Sequence, residues 1–489
     1  MNVSPRRPIF NRRPENNLYR IFLWALLIII ALWLVASVSR GTVKPVGEPI
    51  PTPTRAAESY SNEGDAHFTA GNLASAIAAY RKALELDPQN ASLWAKLAQI
   101  QTYYSSLLTT DDARRETLTE ALKSIDQAKA LAPDDSTVAA TRAFVLDWNA
   151  SSAVTSDKAP GLLIEAEQEA VRALQLDNTN TLALAYYAEI LIDQQKITQA
   201  EQYMTQALER GQDLVDVHRV YAYLLENEGL YLQAIQEYDR ATQIAPNLTF
   251  LYLRAGLNYR QLAFNSTIEE QQKALYDKSL EYFAKAAKIN EQLGVKDPAP
   301  YISIAKTYTQ LGEFYAAGRN LQKALEFAPS NPDVYGQLGI VFQRSRNYEG
   351  AIPALKCAIK GCTAAESCIA AYGTDCGPGE TGAEVKGMPI SPGTVVYYYT
   401  YVSMLAALSR PKANMCAEAK QVIFEIRANP QVGKDPLVNQ ILAENENICA
   451  LVGSGIVVSQ LTPTPAPTSL TPQPTQPRET PTATPTIQP

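Results

Sequence analysis

A pattern of small and large residues returning every 34 positions constrains this chain more than any other feature. With Ala57 as position 1, Tyr60, Gly64, Ala76, Tyr80, Ala83 and Pro88 fall at positions 4, 8, 20, 24, 27 and 32. Val215 opens a copy with Ala222, Ala234, Tyr238, Ala241 and Pro246. Pro298 opens one with Tyr301, Ala305, Tyr308, Ala317, Ala324 and Pro329, and Pro332 one with Tyr335, Leu338, Gly339, Phe342, Ala351 and Ala358. Thr181 opens a weaker copy with Leu184, Ala188, Ala200, Met204 and Ala207, lacking the proline. This spacing predicts pairs of antiparallel helices. Small residues let the two helices approach, large ones fill the gap to the next pair, and proline ends the second helix.

The pattern resembles the tetratricopeptide repeat (TPR), a 34-residue helical hairpin. The resemblance implies an all-α, TPR-type helical-hairpin solenoid of about nine repeats over residues 57–451. Three copies close late, at Pro133, Asn178 and Glu291, each 45 residues past the preceding closing position. Those units should carry longer helices. A ninth, irregular copy runs from about Tyr398 to Gly433, with Tyr401, Leu405, Ala419 and Ile423, and residues 437–451 read as a closing helix. A repeat array needs such a helix to cover its last apolar face.

Fold alone does not name an activity. The resemblance implies a scaffold that binds a protein or peptide partner on a concave groove, lined by positions 2, 5, 9 and 12 of each first helix. In copies five to eight those positions hold Arg219, Tyr223, Phe250, Leu253, Leu257, Arg260, Ile302, Lys306 and Ile340. They form an apolar stripe interspersed with cations, and ordinary packing between repeats is the competing reading. The family's carboxylate clamp needs Asn at position 9. Here that position holds Asp65, Gln99, Phe144, Glu189, Tyr223, Leu257, Lys306 and Ile340, so clamp-type binding is not expected.

Ahead of the repeats, residues 21–38 read IFLWALLIIIALWLVASV without a charge. Eighteen residues rising about 1.5 Å each span roughly 27 Å, enough to cross a hydrocarbon core. Trp24 and Trp33 sit near its two ends, where indoles favour the interface. A cleavable signal peptide is the rival, but its apolar core is usually shorter. Arg6, Arg7, Arg12, Arg13 and Arg20 precede the span. The positive-inside rule therefore predicts a single-pass cell-membrane protein with residues 1–20 as a cytoplasmic basic tail and an extracytoplasmic repeat body. The arginine pairs also admit twin-arginine export, but the strongly apolar span favours ordinary insertion. Residues 39–56 contain Pro45, Pro49, Pro51 and Pro53 and read as a stiff extended linker. Residues 452–489, rich in Thr and Pro, have too little apolar surface to offset chain entropy and read as a disordered tail.

The chain carries −7 overall, but the first forty residues hold +5, leaving −12 on the remainder. So acidic a body is a poor polyanion binder, and no nucleic-acid partner is expected. With two histidines in 489 residues, His67 and His218, neither a His-based triad nor a multi-His metal site is expected. Both fall at positions that pack internally in the family. No phosphate loop, G-x-S-x-G or H-E-x-x-H occurs. The acidic pairs Asp111-Asp112, Asp134-Asp135 and Glu269-Glu270 fall at helix starts or loops, where they complement the helix dipole. No catalytic residue, cofactor or metal is assigned, and the chain reads as a non-enzyme. The leading function is a membrane-anchored extracytoplasmic scaffold. The alternative is a structural cell-envelope protein whose Thr/Pro tail reaches a wall or glycan layer.

All six cysteines follow residue 356. Cys357, Cys362, Cys368 and Cys376 surround a Gly-rich insertion at about 361–393, and their C-x4-C-x5-C-x7-C spacing fits no standard zinc site. An even count outside the membrane favours disulfides over metal or free thiols, with three pairings open for these four. Cys416 and Cys449 are expected to pair. One opens the last second helix and the other nearly ends the closing helix, eleven residues either side of a turn bracketed by Pro430 and Pro436. Antiparallel packing then brings the two thiols to the same height. The competing reading makes both small buried residues that never oxidise.

Overall fold

An apolar run satisfies its own peptide groups most simply as a helix, and α1 (Leu18–Ser39) is one uninterrupted helix of 22 residues. Its candidate span, Leu18–Ser37, has a mean hydropathy of 2.4. Every side chain from Leu18 to Val35 is exposed, including Trp24 and Trp33. The computed structural model describes residues 17–39, 55–108, 111–151, 159–377 and 382–454. Most of the basic tail, the proline-rich linker and the Thr/Pro-rich tail lies outside these residues. The chain divides into two units, residues 1–56 and 57–489.

The second unit is a run of helical hairpins. They are α2 (Ala57–Thr69) with α3 (Leu73–Leu86), α4 (Ala91–Ser105) with α5 (Asp111–Leu131), and α6 (Ser136–Ser151) with α7 (Ala159–Leu176). Next come α8 (Thr181–Asp193) with α9 (Ile197–Arg210), α10 (Val215–Asn227) with α11 (Tyr231–Ile244), and α12 (Thr249–Asn265) with α13 (Glu269–Gln292). Then α14 (Ala299–Leu311) pairs with α15 (Phe314–Phe327) and α16 (Pro332–Arg344) with α17 (Tyr348–Lys360). The short α18 (Ala364–Tyr372) precedes the last hairpin, α19 (Val395–Leu408) with α20 (Cys416–Ala428), and α21 (Pro436–Gly453) closes the array. Among the described residues the only extended pairing is two isolated β-bridges.

Each hairpin closes as the spacing requires. Position 8 of the first repeat is Gly64, where a Cβ would sit 2.6 Å from the Tyr80 ring at position 24. Ala76 and Ala83 are fully buried on the facing helix. Asparagines start many of the helices. Asn72, Asn90, Asn180 and Asn347 each accept a hydrogen bond from the backbone N–H three residues on, at 3.1–3.2 Å. In the late-closing copies the second helices α5, α7 and α13 run to 21, 18 and 24 residues, against 14 in α3.

Successive hairpins do not simply stack outward. One apolar core runs from Leu73 to Ala255 and joins repeats one to six. Tyr103 of repeat two stacks on Phe250 of repeat six with ring centroids 5.5 Å apart. The turn at Gly71 meets the turn after α11: its φ is +77°, and a Cβ there would lie 2.5 Å from the Asn247 carbonyl oxygen. The first six repeats thus curl until their ends touch. A second core runs from Ala305 to Val452 and holds repeats seven to nine with the closing helix.

Candidate functional site

The space enclosed by the first repeats is filled by their own side chains. Tyr103, Phe144, Trp148 and Tyr186 form a continuous aromatic set, with neighbouring centroids 4.7–5.5 Å apart. Arg219, 6% exposed, projects into it with Phe144 and Trp148 each 5.6 Å from its guanidinium carbon. The guanidinium grips Glu189 at 2.5 and 2.7 Å and reaches Asp216 at 3.1 Å. Asp216 also accepts from the Tyr103 hydroxyl, from Tyr186 at 3.1 Å and from Gln99 at 3.2 Å. Trp148 donates its indole N–H to Glu189 at 3.2 Å. Asp147 lies at the edge, 1% exposed, with one carboxyl oxygen lacking a partner. Burial pushes its pKa well up, and Asp193 and Glu189 push the same way. A buried network of this kind is costly to leave half satisfied, so it holds the closed turn in one arrangement.

Farther along, the first helices α10, α12, α14, α16 and α19 line an open concavity of about 760 Å³. Tyr223, Leu257, Arg260, Lys306 and Ile340 are on its wall. The other expected groove residues are elsewhere. Arg219 is locked in the sealed interior, and Phe250 packs between Tyr103 and Trp148. Leu253 joins a small cluster with Tyr252, Tyr282 and Leu293, and Ile302 packs on the C-terminal core. These four correct the sequence-based assignment, and they share a register. All sit at positions 2 or 5, whereas the five on the wall sit at positions 9 or 12. At these four positions the first turn of the first helix packs against its neighbours, whereas the five on the wall lie on later turns; Asp333, at position 2 of α16, reaches the wall from a first turn.

The wall also holds Asp333, at groove-facing position 2, and three residues the register did not single out: Arg254, Arg344 and Tyr397. Arg254 and Arg344 sit at positions 6 and 13, one residue beyond two of the positions read as groove-facing. Tyr397 lies on the irregular ninth copy, where the spacing gives no firm register; its hydroxyl donates to Asp333 at 2.7 Å. Arg254 pairs with Glu226 at 3.5 Å and lies over the Tyr223 ring. Tyr223 donates to Asp193 at 2.7 Å. Arg260 contacts the Ser303 carbonyl at 3.3 Å and the face of Phe283, and burial pushes its guanidinium down to about 10. Lys306 is open to the solvent of the concavity but ringed by protein. Burial holds its ammonium below the ordinary range against the pull of Asp333, and Arg260 adds to the lowering. Burial alone lowers Arg344.

The histidines pack internally or along a helix. His218 is buried between Glu237 at 2.7 Å and the Gln212 carbonyl at 2.9 Å, and the Glu237 bond raises its pKa. His67 sits one turn from Glu63 at 3.8 Å. The cysteines fall into three close pairs. Cα separations are 4.8 Å for Cys357 and Cys362, 5.1 Å for Cys368 and Cys376, and 5.5 Å for Cys416 and Cys449. The first two pairs pin the insertion, where Cys362 bridges to Val385 and Gln322 of α15 donates to the Ala371 carbonyl at 2.9 Å. Among the described residues no cluster of three or more His, Cys, Asp or Glu could hold a metal.

Fold and site together define an α-hairpin repeat solenoid with an interior that is part filled and part open. Family profiles match it three times: "TPR repeat" over residues 64–102, and "Tetratricopeptide repeat" over 182–249 and over 299–331. The chain is a tetratricopeptide repeat protein. Such repeats mediate protein–protein interactions, which supports a scaffold role. No curated protein matches the chain. Among solved structures it is similar to a thermophilic TPR protein of Thermus thermophilus, at 18% identity, 42% of this chain, 98% of that one and TM-score 0.34. It is similar to Cut9–Hcn1, an APC/C hetero-tetramer, at 14% identity and TM-score 0.46, covering 67% of this chain and only 55% of that one. It is also similar to the human IFIT1 dimer with PPP-AAAA, at 14% identity, 81% and 83% coverage and TM-score 0.47.

Proposed function

We propose that the chain is a non-catalytic, membrane-anchored extracytoplasmic scaffold that holds a segment of a partner protein in the concavity of repeats five to nine. The observation that carries the groove is the contrast in the interior. Repeats one to six fill their enclosed space with their own aromatic and ion-paired side chains, whereas repeats five to nine leave about 760 Å³ open. Its wall alternates aromatic, aliphatic and cationic side chains. Apolar contacts there supply affinity, while charge sets register and on-rate. Anchoring is supported by the length and hydropathy of α1, orientation by the arginines ahead of it, and an oxidising compartment by the three close cysteine pairs.

Two experiments test the two parts. Protease added to intact spheroplasts should digest the repeat body; protection until the membrane is permeabilised would reverse the orientation. Tyr223→Ala with Leu257→Ala should abolish capture of a cross-linked partner while circular dichroism stays unchanged. Retained capture with the fold intact would place the binding surface elsewhere.

A further inference from the structure

The concavity carries an electrostatic imbalance that the protein does not resolve internally. Four cations line it, Arg254, Arg260, Lys306 and Arg344, against two carboxylates, Glu226 and Asp333, on a chain whose net charge is −7. Arg254 is matched by Glu226, and Asp333 is engaged by the Tyr397 hydroxyl. Among the described residues, Arg260, Lys306 and Arg344 have no carboxylate within ion-pair distance, while Arg260 and Lys306 repel each other across the wall. Partly desolvated cations on one wall are unfavourable unless an anion joins them. Elsewhere the chain does supply that anion: Arg142 has Asp126, Glu165 and Glu169, and Arg219 has Glu189 and Asp216.

We propose that Arg260, Lys306 and Arg344 form an anion subsite that receives carboxylate side chains of an acidic peptide segment bound in this concavity. The inference rests on the groove reading above and adds the chemistry of the partner. A polypeptide is favoured over a nucleic acid because the cations are few and interleaved with apolar and aromatic side chains such as Tyr223, Leu257 and Phe264. The guanidinium forks of Arg260 and Arg344 suit the two oxygens of a carboxylate, and Lys306 adds a point charge on the same wall. Apolar side chains of the same segment would meet Leu257 and Phe264. The segment is therefore one in which Asp or Glu alternates with large apolar residues.

The test is selection of random dodecapeptides from a displayed library on the full-length protein in nanodiscs. Recovered peptides should be enriched in Asp and Glu beside Leu, Phe or Trp. The best of them, labelled and measured by fluorescence anisotropy, should bind about tenfold more weakly for each acid changed to its amide and about tenfold more weakly to Lys306→Gln. The Arg260→Gln/Lys306→Gln/Arg344→Gln protein, its fold checked by circular dichroism, should select apolar peptides without the acidic bias. Apolar peptides lacking acidic enrichment from the unmodified protein would sink the subsite and leave the groove standing. Peptides whose binding survives Tyr223→Ala/Leu257→Ala, or no recovered peptide at all, would sink the groove reading itself. Tighter binding of an oligoribonucleotide than of any acidic dodecapeptide would overturn the assignment of a peptide partner.

Discussion

Position 9 of the first helix faces inward in both halves of the solenoid, yet it meets different surroundings. In repeats two to four it holds Gln99, Phe144 and Glu189, all buried in the sealed interior. In repeats six to eight it holds Leu257, half-buried, Lys306, exposed, and Ile340, buried in the C-terminal core, all bordering the open concavity. Register is the same; what differs is whether anything lies across from it. Repeats one and two meet repeat six, so large aromatic residues interlock, and the buried guanidiniums of Arg142 and Arg219 find their carboxylates. Past repeat six none of the described helices returns to fill the space, and among the described residues Arg260, Lys306 and Arg344 have no ion-pair partner. A repeat architecture thus assigns direction to each position, but closure of the superhelix decides whether that direction is core or surface.

The largest expected effect comes from breaking the sealed half. Arg219→Ala leaves Glu189 and Asp216 buried without their cation and should lower stability by about 3–5 kcal/mol in chemical denaturation. Arg260→Ala, in the open half, removes a cation with no acidic partner and should leave stability nearly unchanged or raise it. Equal losses from the two changes would erase the distinction between the halves.

A smaller effect is expected at the end of the open half. Cys416 and Cys449 join the start of α20 to the end of α21 across a separation of 33 residues. The chain-entropy model gives at most about 3–4 kcal/mol for a closed loop of that size. Cys416→Ser should speed hydrogen exchange in α20 and α21 and leave α4 to α10 unaffected. Faster exchange throughout the array would show that the closing helix is not a local cap.

The smallest effect is a change in pH dependence where the open half begins. Asp297, ahead of α14, accepts from the Ala299 N–H at 2.9 Å and from Asn290 at 3.2 Å, and burial pushes its pKa up to about 6. A carboxyl near 4 when unfolded and about 6 when folded binds more protons in the folded state. Its contribution is therefore full below about pH 4 and lost as pH rises through about 6. Asp297→Asn should flatten the decline in stability between those values, worth on the order of 2 kcal/mol. An unchanged slope would assign the decline to other groups. His218, raised by Glu237, works in the same direction at higher pH: its contribution fades as pH rises through its folded pKa.

Much of the fold was legible in local spacing. Gly64 under Tyr80, the buried alanines at positions 20 and 27, and the late closing positions that became α5, α7 and α13 are all properties of one hairpin. The site was legible only in part, for a physical reason. Whether Phe250 faces a groove or a neighbour depends on Tyr103, 147 residues earlier, reaching it across the curl of six repeats. That approach depends on the summed angles between hairpins, which no single 34-residue window encodes. Arg219 illustrates the same limit. On its helix it reads as a cation in an apolar stripe, and only the arrival of Glu189 from α8 and Asp216 one turn back makes it a buried ion pair. A hint was present in the acids at neighbouring inward positions, Glu189 among them, which outnumber the cations there.

Hydroxyl-radical footprinting of the full-length protein, read by mass spectrometry, tests the central contrast most directly. Oxidation should mark Phe264, 44% exposed on the concavity, and spare Tyr103 and Phe144, which are fully buried in the closed half. Protection of Tyr103 and Phe144 that persists until denaturation is the predicted result. Oxidation of those two rings at the rate of Phe264 in the native protein would contradict it, because the interior enclosed by the first repeats would then be as open as the concavity.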